Sequence, residues 1–290
     1  WLLCVAADDG VMPQTREHAD VLRLLAVERG VVAVTRADLA DPAPAAAAAR
    51  ELVGPEHEVV AVSALTGRGL PELLRAIEGL AAGLPRRTAG GPARLFVDRA
   101  FTVPGAGTVV TGTLWGEPIA RGARVAVLPG GARARVREVR AHERPLERAE
   151  GGRVALNLAG LGPADAPRGS CVVLAEAAWR PSERLDVALT LLPSAPGPLR
   201  TRRRLEAALG TAETPAACVL LDADEVMPGG RAYAQLRLER PVPARRGDRL
   251  VLRGPARRAV AGAVVIDPAP GRHGRGSGAA ARLAALEAGD

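Results

Sequence analysis

The sequence predicts an α/β region followed by an all-β region: a parallel sheet with helices, then two small β-barrels. Up to residue 84, short apolar runs alternate with Ala- and Leu-rich stretches of helical period. From residue 93 onward, short Val- and Leu-rich runs recur, punctuated by Gly and Pro. Between the two regions, residues 85–92 read Pro-Arg-Arg-Thr-Ala-Gly-Gly-Pro, a linker by composition. The expected organisation is α/β over 1–84, linker over 85–92, barrels over 93–178 and 179–268, and a linker with the start of a helical region over 269–290.

Leu2 to Ala7 is a continuous apolar run, as expected of a strand covered on both faces. Pro13 suits a helix first turn, Val21, Leu22 and Leu25 give an apolar stripe, and Gly30 is the expected stop. Val31 to Val34 is a second buried strand. Asp41-Pro42 then offers a start for the helix from Ala43 to Leu52. A third strand, Val59 to Val62, leads into Ser63-Ala64-Leu65-Thr66-Gly67, and Pro71 begins a helix with Leu73, Leu74, Ile77 and Leu80 at helical spacing. Strands alternating with helices imply a parallel sheet, whose ligand sites lie at the carboxyl ends of the strands.

In the β region, Asp98 to Thr113 holds three glycines that invite a phosphate-loop reading. A phosphate loop must open a helix, and β-branched Thr and Val follow these glycines directly, so the stretch is read as a hairpin turning at Pro104 to Gly107. Further strands are expected at Ala123–Leu128, Ala134–Val139, Arg153–Leu158, Leu185–Leu191, Ala217–Leu221, Ala232–Leu238 and Arg249–Leu252. Gly271 to Gly278 reads as a flexible linker, and Ala279 to Ala288 as a helix.

The net charge of +7 points to a polyanionic partner, nucleic acid ahead of membrane. All 39 basic residues are Arg, so no Lys of a Walker phosphate loop can come from this chain. Cys4, Cys171 and Cys218 are odd in number and set in apolar runs; they read as reduced, buried residues of a cytoplasmic protein. No metal is assigned to the four His, which lack ligand spacing, and no apolar run is long enough to span a membrane. Trp1 opens the chain in mid-strand without an initiating Met, and the helix at Ala279 to Ala288 has barely begun where the sequence stops, so the sequence reads as truncated at both ends.

Two loops at neighbouring strand ends carry candidate chemistry. Asp38 offers two carboxylate oxygens that suit the paired N1–H and exocyclic amine of guanine, an arrangement adenine lacks. Backbone amides near Ser63 and Ala64 are placed to donate to the guanine carbonyl, and Arg36 to lay its guanidinium plane over the base. Taken alone, Thr35-Arg36-Ala37-Asp38 also fits a polar turn with a helix cap; paired with the Ser63 loop it fits a nucleotide site better.

Val5 to His18 resembles the segment after the second switch in translational GTPases of the elongation factor Tu group. Thr35 to Asp38 is similar to the Thr-Lys-x-Asp guanine motif of the selenocysteine-specific elongation factors, with Arg36 in place of Lys. The likeness continues through Asp98 to Thr113, Arg153 to Gly160, Leu209 to Glu213 and Gly247 to Arg253. The resemblance implies that residues 1–84 are the C-terminal part of a P-loop GTPase domain. It implies GTP or GDP as cofactor, with Mg²⁺ in the intact protein only, and selenocysteinyl-tRNA carried to the ribosome at a recoded UGA. An mRNA insertion hairpin is expected as a partner of C-terminal winged-helix modules, and the protein is expected to be a monomer.

By motif, the matching aminoacyl-pocket positions are Asp98, Arg99 and Arg153. Two guanidinium groups favour a selenolate through charge-assisted hydrogen bonds. Consecutive strand residues point to opposite faces, so Asp98 and Arg99 can share a pocket only at a bulge or strand end. Arg202-Arg203-Arg204, Arg245-Arg246 and Arg257-Arg258 are candidates for tRNA phosphate contacts. No catalytic residue is assigned: the phosphate loop and switches would precede Trp1, so the intact protein is expected to hydrolyse GTP and this chain alone is not. The alternatives are a carrier of ordinary aminoacyl-tRNA, of the elongation factor Tu or initiation factor γ kind, and a non-catalytic barrel protein that binds ribosome or RNA.

Overall fold

The computed structural model describes residues 1–84, 90–104, 107–142, 144–254 and 258–289. The predicted linker residues 85–89, the hairpin residues Gly105 and Ala106, and Arg257 lie outside the described residues. The chain forms two compact units, Trp1–Arg86 and Arg87–Asp290.

In the first unit, β1 (Leu2–Ala6), α1 (Pro13–Leu24), β2 (Val31–Thr35), α2 (Ala43–Val53), β3 (Glu58–Ala61) and α3 (Leu70–Ala82) alternate. The sheet is parallel in the order β1-β2-β3, with Val5 opposite Val34 and Val34 opposite Ala61. Leu3, Val5, Val32 and Val34 pack on Ala45 and Ala49 of α2, where alanine allows close helix-to-sheet approach. Within the residues described, only the Leu3 and Val5 face of β1 is packed; Leu2 is 49% exposed and Cys4 is exposed, so the expected cover on both faces is not seen here. Gly30 does not close α1, which ends at Leu24 with Ala26 at φ +50°. Gly30 serves instead where the Trp1 ring crosses the backbone; a Cβ there would lie 1.9 Å from the indole.

The second unit begins with β4 (Arg94–Val103), β5 (Gly107–Trp115), β6 (Ile119–Ala120), β7 (Arg124–Leu128), β8 (Ala132–Ala141), β9 (Arg144–Leu146), β10 (Arg148–Ala149), β11 (Gly152–Ala159) and β12 (Cys171–Leu174). Six of these close a barrel in the order β11-β5-β4-β12-β7-β8, with β8 returning to β11. Alternate residues such as Leu95, Val97, Val110, Val139, Leu156 and Val172 fill its interior.

The chain continues through β13 (Ser182–Leu191), β14 (Leu199–Arg200), β15 (Arg203–Leu209), β16 (Ala212–Leu220), β17 (Glu225–Val226), β18 (Arg231–Val242), β19 (Arg249–Arg253) and β20 (Ala259–Asp267). A second closed barrel results, β13-β18-β16-β15-β19-β20, so the α/β plus two-barrel expectation holds. Cys171 and Cys218 are buried, and desolvation pushes both thiols up to about 12, which keeps them protonated and unreactive.

The barrels are joined at a buried contact. Arg94 and Asp248, with side chains 3% and 5% exposed, form a two-pronged ion pair. Phe96 and Trp179 lie 5.0 Å and 5.5 Å from the Arg94 guanidinium, and the Thr211 hydroxyl donates to the Val97 carbonyl at 2.7 Å.

Residues 271–278, read as a flexible linker, are instead bound to the second barrel. Gln235 donates to the Gly271 carbonyl at 2.8 Å and Arg237 to the His273 carbonyl at 2.6 Å. The α-helix that follows, α4 (Ala279–Ala288), buries Leu283 completely against Ala188, Leu221 and Ile266. Glycine content signals local freedom, whereas these anchors come from strands far away in sequence.

Candidate functional site

At the carboxyl end of the parallel sheet, three loops meet. The Ala37 amide donates to the Val62 carbonyl at 3.1 Å and the Val62 amide to Val34 at 2.8 Å, so the loops after β2 and β3 are stitched together. Thr35 ends β2 and its carbonyl receives the Ala7 amide. Asp38 is exposed, and its carboxylate has no partner among the described residues.

Ser63 is fully buried and shapes the second loop. Its amide donates to the Arg68 carbonyl at 2.9 Å, and its hydroxyl accepts from the Thr66 amide at 3.1 Å. The Ser63 amide is therefore consumed, and of the two predicted donors only the exposed Ala64 amide is unpaired among the described residues. Arg36 adopts φ +56° and turns to the loop after β1, where Nη1 lies 3.0 Å from Asp8 and 3.5 Å from Asp9. The Asp8 hydrogen bond and the two carboxylate charges raise its pKa above the usual arginine value. Asp8 and Asp9 were missed as partners; their position at a parallel strand's end was the available signal.

A cavity of about 620 Å³ sits at the opposite end of the sheet beside Glu28, His57 and Glu58. Ligands of parallel sheets bind at carboxyl ends, so geometry favours the Asp38 loops over cavity size. Among the described residues, no group of three or more His, Cys, Asp or Glu is arranged to hold a metal ion.

The second cluster lies on the first barrel. Val97 of β4 pairs with Gly112 of β5, and the next pair is Arg99 with Thr111, which leaves Asp98 as the extra residue of a β-bulge. A bulge sets two consecutive residues against one on the partner strand, so Asp98 and Arg99 both face Thr111. Gly112 permits the close approach there; a Cβ would stand 2.0 Å from the Phe96 carbonyl oxygen. Arg153 of β11 lies opposite Thr113, one pair along the same face.

Arg153 Nη1 lies 2.6 Å from Asp98 Oδ2, and its Nη2 donates to Oδ1 at 3.3 Å. The Thr111 hydroxyl donates to the same Oδ1 at 2.7 Å. Arg99 is exposed, and its guanidinium has no partner among the described residues. Asp98 thus offsets Arg153, and Arg99 remains as one surplus positive charge. Thr111 was not singled out from sequence, since its part depends on the bulge.

Of the arginine runs, Arg204 pairs with Glu239 at 3.4 Å, Arg245 donates to the Gly90 carbonyl and Arg246 to the Leu286 carbonyl. These three are at least partly engaged within the molecule.

A parallel sheet with helices, then two closed barrels, is the layout of the translational GTPases that the sequence resembles. Residues 1–82 match the model described as the elongation factor Tu GTP binding domain. Residues 183–272 match the selenocysteine-specific elongation factor, beta-barrel domain. The selenocysteine-specific elongation factor of Desulfomicrobium baculatum is 38% identical over 276 residues, covering 92% of this chain and 43% of that protein. Elongation factor Tu 2 of Streptomyces avermitilis is 32% identical, covering 91% of this chain and 73% of its own length. A crystal structure of a bacterial selenocysteine-specific elongation factor, EF-Sec, superposes with a TM-score of 0.84 at 28% identity, over 99% of this chain and 48% of that one. The chain belongs to the selenocysteine-specific elongation factors, within the elongation factor Tu group of translational GTPases. It spans less than half the length of the selenocysteine-specific relatives it matches.

Proposed function

We propose that the protein acts in GTP-dependent delivery of selenocysteinyl-tRNA to the ribosome for incorporation at UGA. The single observation that carries the cargo assignment is the bulge at Asp98, which gathers Asp98, Arg99 and Arg153 on one face with a net charge of one positive unit. The cargo selenol is an anion at neutral pH, and a monoanion neutralises that surplus through charge-assisted hydrogen bonds. A seryl precursor brings a neutral hydroxyl and leaves Arg99 uncompensated.

In the α/β unit, Asp38 is proposed to accept from guanine N1–H and its exocyclic amine, and the Ala64 amide to donate to the base carbonyl. Thr35 and Ser63 shape the loops, and Arg36 borders the base from its place beside Asp8. Phosphate binding, Mg²⁺ coordination and hydrolysis are assigned to residues outside this chain, which has no Lys to supply a phosphate loop. The insertion hairpin of the mRNA is assigned to further modules, and the protein is proposed to work in the cytoplasm as a monomer. No helix among the described residues is long and apolar enough to cross a membrane.

Binding of selenocysteinyl- and seryl-tRNA, measured on the GTP-loaded full-length protein, tests the cargo reading. Selective binding of the former is expected; equal affinities point to a general aminoacyl-tRNA carrier.

A further inference from the structure

We infer that Thr111 is a positioning residue that decides which arginine Asp98 neutralises, and so keeps Arg99 free for an anionic cargo; this rests on the cargo reading above. The argument starts from the bulge. Asp98 and Arg99 are consecutive and face the same residue, so the carboxylate lies within reach of two cations: Arg99 beside it on β4, and Arg153 across on β11. If Asp98 turned to Arg99, the surplus charge would move to Arg153 and Arg99 would be spent.

The Thr111 hydroxyl prevents that turn. It donates to Asp98 Oδ1 at 2.7 Å, and the carboxylate is then aligned for Arg153, with Oδ2 2.6 Å from Nη1 and Oδ1 3.3 Å from Nη2. A β-branched residue on a strand holds its χ1 stiffly, which suits a donor that must keep one direction. Thr111 is half-buried in the β4–β5 pairing, and Asp98 is 16% exposed, so solvent competes weakly for this bond. Hydrogen bonds to charged groups are the stronger kind, and losing this one frees the carboxylate to turn from Arg153 toward Arg99.

The test uses the full-length GTP-loaded protein and reads the ratio of affinities for selenocysteinyl- and seryl-tRNA. Thr111→Val, close in shape and favourable in a strand, is expected to lower that ratio about tenfold. Thr111→Ser, which keeps the hydroxyl, is expected to retain it. In a double-mutant cycle, Arg99→Gln with Thr111→Val is expected to lose no more than Arg99→Gln alone, since both remove the same free cation. Thr111→Ala serves if the valine variant fails to fold, with the same expectation. An unchanged ratio in Thr111→Val, a serine variant as impaired as the valine one, or additive losses in the cycle each overturn the inference. Equal binding of the two tRNAs by the unmutated protein overturns the cargo reading itself, and is distinguishable because it appears before any substitution is made.

Discussion

Asp38 presents two acceptor oxygens and no donor, which fits the donor pair on one edge of guanine. Asp38→Asn turns one acceptor into an amide donor. Guanine nucleotide affinity is then expected to fall at least about a hundredfold, since two charge-assisted bonds are weakened. A xanthine nucleotide, with a carbonyl where guanine has its amine, is expected to lose less or to gain; titration calorimetry with GDP and its xanthine analogue reads both. Asp38 was legible because a carboxylate after a buried strand, beside a second loop of the right kind, is a chemical pattern. The pairing of Arg36 with Asp8 and Asp9 was not, since it spans 28 residues and depends on the β1–β2 register. The arrangement of Asp98 and Arg99 was legible only as a condition. Strand alternation separates them, and the bulge that unites them shows in the β4–β5 register alone.

At the scale of elements, the segment after β20 departs most from its sequence reading. Asp186 is fully buried and receives Gln235 Nε2 at 2.9 Å, with Arg282 at 3.0 Å and His273 at 3.2 Å. Glu287 accepts from the Tyr233 hydroxyl at 2.9 Å and pairs with Arg231. Leu283→Ala removes the apolar anchor of α4, and large-to-small core changes cost about 2–5 kcal/mol. Hydrogen exchange is expected to speed up over Ala279–Ala288 while the barrel strands stay protected; unchanged protection contradicts the docking.

Burial raises the Asp186 pKa above the ordinary carboxylate value, so the folded state holds its proton more tightly than the unfolded chain. Stability is therefore expected to decline as pH rises from the ordinary carboxylate pKa through the raised one, and Asp186→Asn to flatten that slope. Denaturant unfolding across acid pH reads this. The helix over residues 279–288 was legible from composition; its anchoring was not, because every anchor lies on a distant strand.

For the whole molecule, the second unit depends on the Arg94–Asp248 pair between its barrels. Asp248→Ala leaves a guanidinium buried at 3% exposure without its partner, a change that costs about 3–5 kcal/mol. A clear fall in Tm is expected, and replacing both residues by apolar ones of similar size is expected to restore much of it. The α/β-then-β order was legible from periodicity, which local sequence dictates. The barrel-to-barrel pairing was not, because nothing near Arg94 in sequence marks Asp248.

The central claim, that a selenolate is read by charge on the first barrel, is tested most directly by following the ratio of selenocysteinyl- to seryl-tRNA affinity as pH is lowered through the selenol's own titration. A guanidinium does not deprotonate in this range, so the preference for selenocysteinyl-tRNA is expected to shrink as the cargo is protonated, with seryl-tRNA binding little changed. A preference that stays constant across that range contradicts recognition by charge.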